Sequence, residues 1–208
     1  MLAIFSSCVK TESISSSATT VGKSKIVFFP SIKVNGETLI ILYVGDTYTD
    51  AGATAILDEK PYEYTTVGSV DLTTPGVYQL DYSAVNAEGF SVSDFRTVVV
   101  IDGNSVAAND FSGTYARYVA GVANGQTSTW TKTGVGVYTV DNPGGAAGLT
   151  VTAVNYNGKT VTVPKQHTAI GAFATTAVDY DDAASPKQYV WAVINGTYGP
   201  SNRTFKKQ

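Results

Sequence analysis

Cysteine occurs once in this 208-residue chain, at Cys8, and histidine once, at His167. A single cysteine excludes an internal disulfide, so any core must be held by burial alone. With one histidine and no cysteine in the strand-rich part, zinc sites built on those ligands are excluded, as is a Cys–His nucleophile pair. Charge is sparse as well: 15% of residues are charged and the net charge is -3, which leaves no footprint for nucleic acid and no basic face for a membrane surface. Beyond residue 8 the longest apolar run is LIILYV, a strand's length and far short of the roughly 20 residues of a membrane-spanning helix. Catalytic patterns are missing too. No serine sits in a Gly-x-Ser-x-Gly elbow, and NPGGAAG (142–148) has neither the Lys-Ser/Thr nor the helical period of a phosphate-cradling loop. Glu is so scarce beyond residue 88 that a glycosidase pair would have to be built from Asp. The expectation is a protein without catalytic activity, cofactor or metal.

What remains is strand-forming: 43% hydrophobic residues, 20 Gly and 13 Tyr, with many Thr and Val. In GVYQLDYSAV (76–85), Val77, Gln79, Asp81 and Ser83 alternate with Tyr78, Leu80, Tyr82 and Ala84, the period of a half-buried strand. Asn35-Gly36 and Asn86-Ala87-Glu88-Gly89 supply residues that tolerate positive φ, as hairpin turns require. Short strand runs at this density predict a β-sandwich over residues 25–102. Residues 103–110 (GNSVAAND) are small and polar, as expected of an interdomain link. From about residue 108 to 208 strand patterns resume between Gly and Asn-Gly turns, which predicts a second antiparallel domain, a barrel or another sandwich. The fold class is therefore all-β. Residues 25–102 carry four bases against eleven acids, while 103–208 carry eight against five, so charge of opposite sign would favour docking of the halves.

LYVGDTYTDAGATA (42–55), followed by TTPGVYQLDYSAVNAEGFSVSDFRTVVV (73–100), resembles the immunoglobulin-like domains of bacterial surface proteins, including those of Bacteroides. The resemblance implies an Ig-like sandwich that serves as a spacer, scaffold or binding module, and it carries no catalytic motif. The whole layout is similar to Bacteroides-type outer-surface lipoproteins. For the C-terminal half that resemblance implies a compact β-barrel-like or lipocalin-like domain.

The N-terminal stretch fits that layout. Residues 1–24 read as the end of a lipoprotein signal followed by a Ser/Thr tether: Ile4-Phe5-Ser6-Ser7 precede Cys8, the expected lipid anchor, and VKTESISSSATTVGKS has no apolar period. No Lys or Arg precedes the apolar residues, so the stub reads as the tail of a longer signal. Each buried methylene of an acyl chain on Cys8 would contribute about 0.8 kcal/mol, and two chains anchor stably. The alternative is an unmodified thiol.

Both tryptophans, Trp130 and Trp191, lie in the second half. Trp191, within QYVWAVI, reads as buried, whereas Trp130 has only polar neighbours and reads as the exposed ring. With Tyr138 and Tyr156 it forms the expected ligand-binding set, since sugar C–H faces stack on exposed rings; the competing reading places all of them in the core. Asp179-Tyr180-Asp181-Asp182 lacks the spaced oxygens of a calcium loop and reads as a polar turn. Asp46 and Asp50 read as turn residues bonded to nearby backbone. The expectation is an exported, lipid-anchored protein of the bacterial outer membrane that binds a glycan or a surface protein and no nucleic acid. A lipocalin-like carrier of an apolar ligand is the alternative, and an accessory hydrolase ranks below it.

Overall fold

A strand that is apolar on successive residues must be covered on both faces, and SVSDFRTVVVI is the strand around which the molecule is arranged. The computed structural model describes residues 26–208. The N-terminal part contains β1 (Ser31–Val34), β2 (Leu39–Tyr43), β3 (Ala53–Leu57), β4 (Lys60–Tyr62), β5 (Thr65–Val67), β6 (Gly76–Val85) and β7 (Ser91–Ile101). They form two sheets, β1-β3-β4 and β2-β7-β6-β5, with β2 parallel to β7 and every other pair antiparallel. Val34, Ala53, Leu80 and Tyr82 are buried between them, with Ile32, Tyr48 and Val70 packed alongside. The alternation in GVYQLDYSAV holds: Leu80, Tyr82 and Ala84 are buried, and the intervening residues are not.

Two turns differ in role. Asn86 opens the expected β6–β7 hairpin, its side-chain oxygen accepting from the backbone N–H of Glu88 and Phe90 while Gly89 takes a φ of +87°. Asn35-Gly36 makes no hairpin, because β1 and β2 belong to different sheets and the pair carries the chain from one to the other. The β3–β4 hairpin instead turns on Asp58 and Glu59, both at positive φ, as a two-residue turn matched to the strand twist requires.

Asp46 accepts from the backbone N–H of Tyr43 as expected of a turn residue. Asp50 does not. Its carboxylate pairs with the guanidinium of Arg96, whose side chain is 1% exposed, and it accepts from the hydroxyls of Tyr82 (2.7 Å) and Tyr48 (3.1 Å). Arg96 also donates to the backbone oxygens of Glu37 and Asn35. The two segments that carry the Ig-like resemblance are thus joined through a buried ion pair.

The 103–110 stretch is not a plain linker. Asp102 caps one helical turn, α1 (Gly103–Val106), whose Val106 is fully buried. Beyond it lie β8 (Gly113–Val119), β9 (Val122–Gly134), β10 (Val137–Asp141), β11 (Thr150–Asn155), β12 (Thr160–Thr162), β13 (Gln166–Thr168), β14 (Gly171–Thr175), β15 (Val178–Asp179), β16 (Gln188–Ile194) and β17 (Asn202–Lys207). They make one antiparallel sheet in the order β13-β14-β16-β17-β8-β9-β10-β11-β12-β15. Register shifts in the β8–β9 and β9–β10 pairs bend it, and it curls into a half-barrel. Past β15, Asp181 exchanges both backbone hydrogen bonds with Gln188 of β16, which draws the curled sheet together.

Aromatic rings fill the half-barrel. Trp130 and Trp191 stack at 5.5 Å, and Tyr189 stacks on Phe205 at 5.0 Å. Each polar edge has a partner: Trp130 Nε1 donates to the Tyr189 hydroxyl, Trp191 Nε1 to the Pro143 oxygen, and the Tyr138 hydroxyl to the Asn109 oxygen. Burial pushes the Tyr115, Tyr138 and Tyr189 hydroxyls above the ordinary tyrosine value, so they remain protonated donors. Among the described residues no helix is long and apolar enough to cross a membrane.

Candidate functional site

Because β7 is apolar on both faces, its second face needs a cover, and the half-barrel supplies it. Val99 and Ile101 of β7, with Leu39, Ile41 and Tyr43 of the parallel β2, pack against Val106, Val137, Val154 and Tyr156. Hydrogen bonds cross the seam along its length: Tyr43 hydroxyl to the Val135 oxygen (3.1 Å), Asp102 N–H to the Tyr156 oxygen (2.9 Å), and Thr97 hydroxyl to the Lys165 oxygen (2.6 Å). The electrostatic contribution is local. His167 pairs with Asp94 at 3.0 Å and stacks on Phe95 at 4.3 Å, while Lys165 Nζ lies 4.0 Å over the other part of that contact, the Phe95 ring. Docking therefore rests on apolar packing more than on the opposite net charges of the halves.

Where the seam ends, the outer face of β6 and the β13–β14 hairpin leave an open cleft of about 610 Å³. Ala172, Ala174 and Ile194 form its apolar floor, and Gln79, Lys165 and Asn195 its polar edge. Ile194 is 57% exposed although it ends a strand whose other large residues are mostly buried. The amides are held in place: Gln79 Nε2 donates to Asp81 (2.6 Å), and Asn195 Nδ2 to the Ala172 oxygen (2.7 Å). A small-residue floor edged by fixed amides and an ammonium group matches a ligand with one apolar face and hydroxyl or carbonyl groups at its rim. Junctions between domains are where such sites form.

The expected ligand-binding rings are elsewhere. Trp130 is 2% exposed and Tyr138 0%, both inside the half-barrel. Polar neighbours in sequence misplaced Trp130, because in a strand the immediate neighbours point to the opposite face and only the residues two away share its own. Tyr156 is half-buried in the seam between the domains, away from the other two rings. The structure brings none of the three to a common surface. Cys8 and residues 9–24 lie outside the described residues. In the acidic stretch, Asp179 lies in β15 and accepts from the Thr160 hydroxyl across the β12–β15 pair, while Asp181 accepts from the Ala184 N–H and the Gln188 amide, the bonds of a turn. No sequence signal gathers the cleft residues, which come from three separate segments. The one local hint is Ile194, an apolar residue on the outward side of its strand.

Among curated proteins none matches the chain. The crystal structure of a lipoprotein from Bacteroides thetaiotaomicron is 22% identical over 86% of this chain and 100% of that one, with a TM-score of 0.36. Residues 32–100, the span that holds both the Asp50–Arg96 pair and the doubly covered β7, match the family model of the Ig-like domain of bacterial surface proteins.

Proposed function

We propose that the chain is a non-catalytic binding protein of a bacterial cell surface, tethered to the outer membrane by lipid on Cys8. Its Ig-like domain and half-barrel act as one docked unit, and the cleft between them contacts a glycan or a surface protein. The observation that carries the reading is the match of residues 32–100 to the Ig-like domain of surface proteins. The lone cysteine ahead of a Ser/Thr tract supports the anchor. The aromatic filling of the half-barrel weighs against the lipocalin-like carrier, which needs an empty interior. Two measurements test the reading. Mass spectrometry of the native full-length protein is expected to find acyl chains on Cys8, and an unmodified Cys8 rejects the anchor. A glycan array probed with the full chain is expected to give hits that Ile194→Asp abolishes; hits untouched by that change reject the cleft as the contact.

A further inference from the structure

The glycine-rich stretch 142–148, which lacks the residues of a nucleotide phosphate loop, lies against Arg117 and against Tyr198, whose ring carries Arg203. Arg117 and Arg203 stand on the neighbouring strands β8 and β17, with Phe205 opposite Arg117 in the register. A Cβ on Gly145 would come within 2.4 Å of Arg117 Cδ, and one on Gly144 within 2.7 Å of the Tyr198 ring, so only glycine lets the loop lie this close. Arg203 is 7% exposed; its Nη1 donates to the Gly199 and Ser201 backbone oxygens, and its guanidinium carbon sits 5.4 Å over the Tyr198 ring. Arg117 Nη1 donates to Gln126 at 2.7 Å.

Neither arginine has a counter-charge among the described residues. Among the described residues the ion pairs of fixed charge are Lys60–Asp58 and Arg96–Asp50, and neither these nor the His167–Asp94 contact involves this pair. The Nε atoms of both are buried without a hydrogen-bond partner. Burial, and then the Arg117 guanidinium, hold Arg203 below the ordinary arginine value. Contrast Arg96, whose more deeply buried guanidinium is given a carboxylate, two tyrosine hydroxyls and two backbone oxygens. Like charges brought together in a poorly hydrated place, with N–H donors left over, are arranged for an oxyanion that arrives from outside.

We propose that Arg117 and Arg203 form an anion site that takes the carboxylate or sulfate group of an acidic glycan. The site deepens the glycan reading and rests on it for the identity of the ligand. It also adjoins the cleft through a shared element, since the β16–β17 loop supplies Asn195 and Gly196 to the cleft and the Gly199 and Ser201 oxygens to Arg203. The guanidinium forks suit bidentate contact with a planar carboxylate or two oxygens of a sulfate, and Gln126 holds one fork in place.

The test is calorimetric titration of the full chain with sodium sulfate against sodium chloride at matched ionic strength, then with chondroitin sulfate, polygalacturonate and neutral dextran. Wild type is expected to bind sulfate and both acidic polymers. Arg117→Gln is expected to weaken all three at least tenfold, and Arg117→Lys to fall between, having charge but no fork. In sulfate-free buffer Arg117→Gln is expected to melt no lower than wild type, because a repulsion has been removed; a purely structural arginine would melt lower. Arg203→Gln should weaken binding likewise, and if that variant does not fold, the partly exposed Arg117 carries the test. Sulfate heats equal to those of chloride, or equal sulfate affinity in wild type and Arg117→Gln, overturn the site. Dextran binding that both proteins share, with no sulfate binding, overturns the site while leaving the glycan reading of the cleft in place.

Discussion

Replacing Asp50 by alanine should cost the chain about 3 kcal/mol. Removing one member of a buried ion pair costs roughly 3–5 kcal/mol, because the other charge is left uncompensated in a poorly hydrated place. Here the Arg96 side chain is 1% exposed and Asp50 29%, so water entering beside residue 50 screens part of the loss and the lower end applies. The Tyr82 hydroxyl, on a side chain with no exposed surface, loses its 2.7 Å acceptor in the same step. At roughly 2–4 °C per kcal/mol for a chain of this size, the midpoint falls by about 6–12 °C. Asp50→Ala combined with Arg96→Met leaves no orphan charge and is expected to regain about half the loss. Acid should act in the same direction. Burial raises the Asp50 carboxyl, but the Tyr82 hydroxyl, the Gly52 backbone, Tyr48 and Arg96 together hold it below its ordinary value of 3.8. A depressed carboxylate contributes stability above that ordinary value and loses it as pH falls further, so the gap between wild type and Asp50→Ala should close below about pH 4. Far-UV circular dichroism reads the whole chain, while tryptophan fluorescence reads only the half-barrel, which holds Trp130 and Trp191. A loss under 1 kcal/mol, or a double variant that equals the sum of the single ones, would refute the reasoning.

The seam between the domains is the next target. Val154→Asp places a carboxylate among Val99, Ile101 and Val106, at an expected cost above about 3 kcal/mol if the domains stay docked. They should part instead, and limited proteolysis within residues 103–110 would then accelerate; unchanged cleavage would show that the seam does not hold them. Gly136→Ala is expected to destabilise by about 2–3 kcal/mol in chemical denaturation, since φ is +72° and the new Cβ would stand 2.5 Å from the Asn155 oxygen and 2.9 Å from Val106. Trp130→Phe removes the 3.0 Å hydrogen bond to Tyr189 and leaves a gap, for a loss of about 2 kcal/mol with glycan-array hits unaltered. Loss of those hits in a folded Trp130→Phe protein would restore the ring to the binding site.

Much of the architecture was legible because its signals are local. Period-two alternation located β6 and put Leu80, Tyr82 and Ala84 inward, and Asn86 to Gly89 marked its turn. The apolar run FRTVVVI read as one more strand, and nothing in the sequence said that its second face would be covered, because Val154 and Tyr156 lie some fifty residues away. Asn35-Gly36 was misread for a related reason: positive φ is needed in a hairpin turn and also in a change of sheet, and only the pairing of β2 with β7 separates the two. Trp130 failed on the rule that adjacent residues in a strand face opposite ways, so Thr129, Thr131 and Lys132 were poor witnesses to its surroundings. Asp50 and Arg96 were visible as motif residues, but a partner forty-six positions away is a tertiary fact.

The doubly covered strand also changes the role available to the Ig-like domain. A domain serving only as a spacer would keep its outer sheet polar, since an exposed apolar patch invites association. This one places Leu39, Ile41, Val99 and Ile101 on that sheet and covers them with the half-barrel, then adds a capped helical turn at the crossing. Freedom between the two parts is given up for a fixed angle. Fixing that angle also fixes the distance from Gln79 on β6 to Ile194 and Asn195 on the half-barrel, and so sets the width of the cleft before any ligand arrives. Binding there would not have to meet the entropy of bringing two loosely joined domains together, which is the advantage of a preorganised site. The Ig-like domain is accordingly one wall of the proposed binding surface, and any conformational freedom needed to reach a partner must come from outside the docked unit.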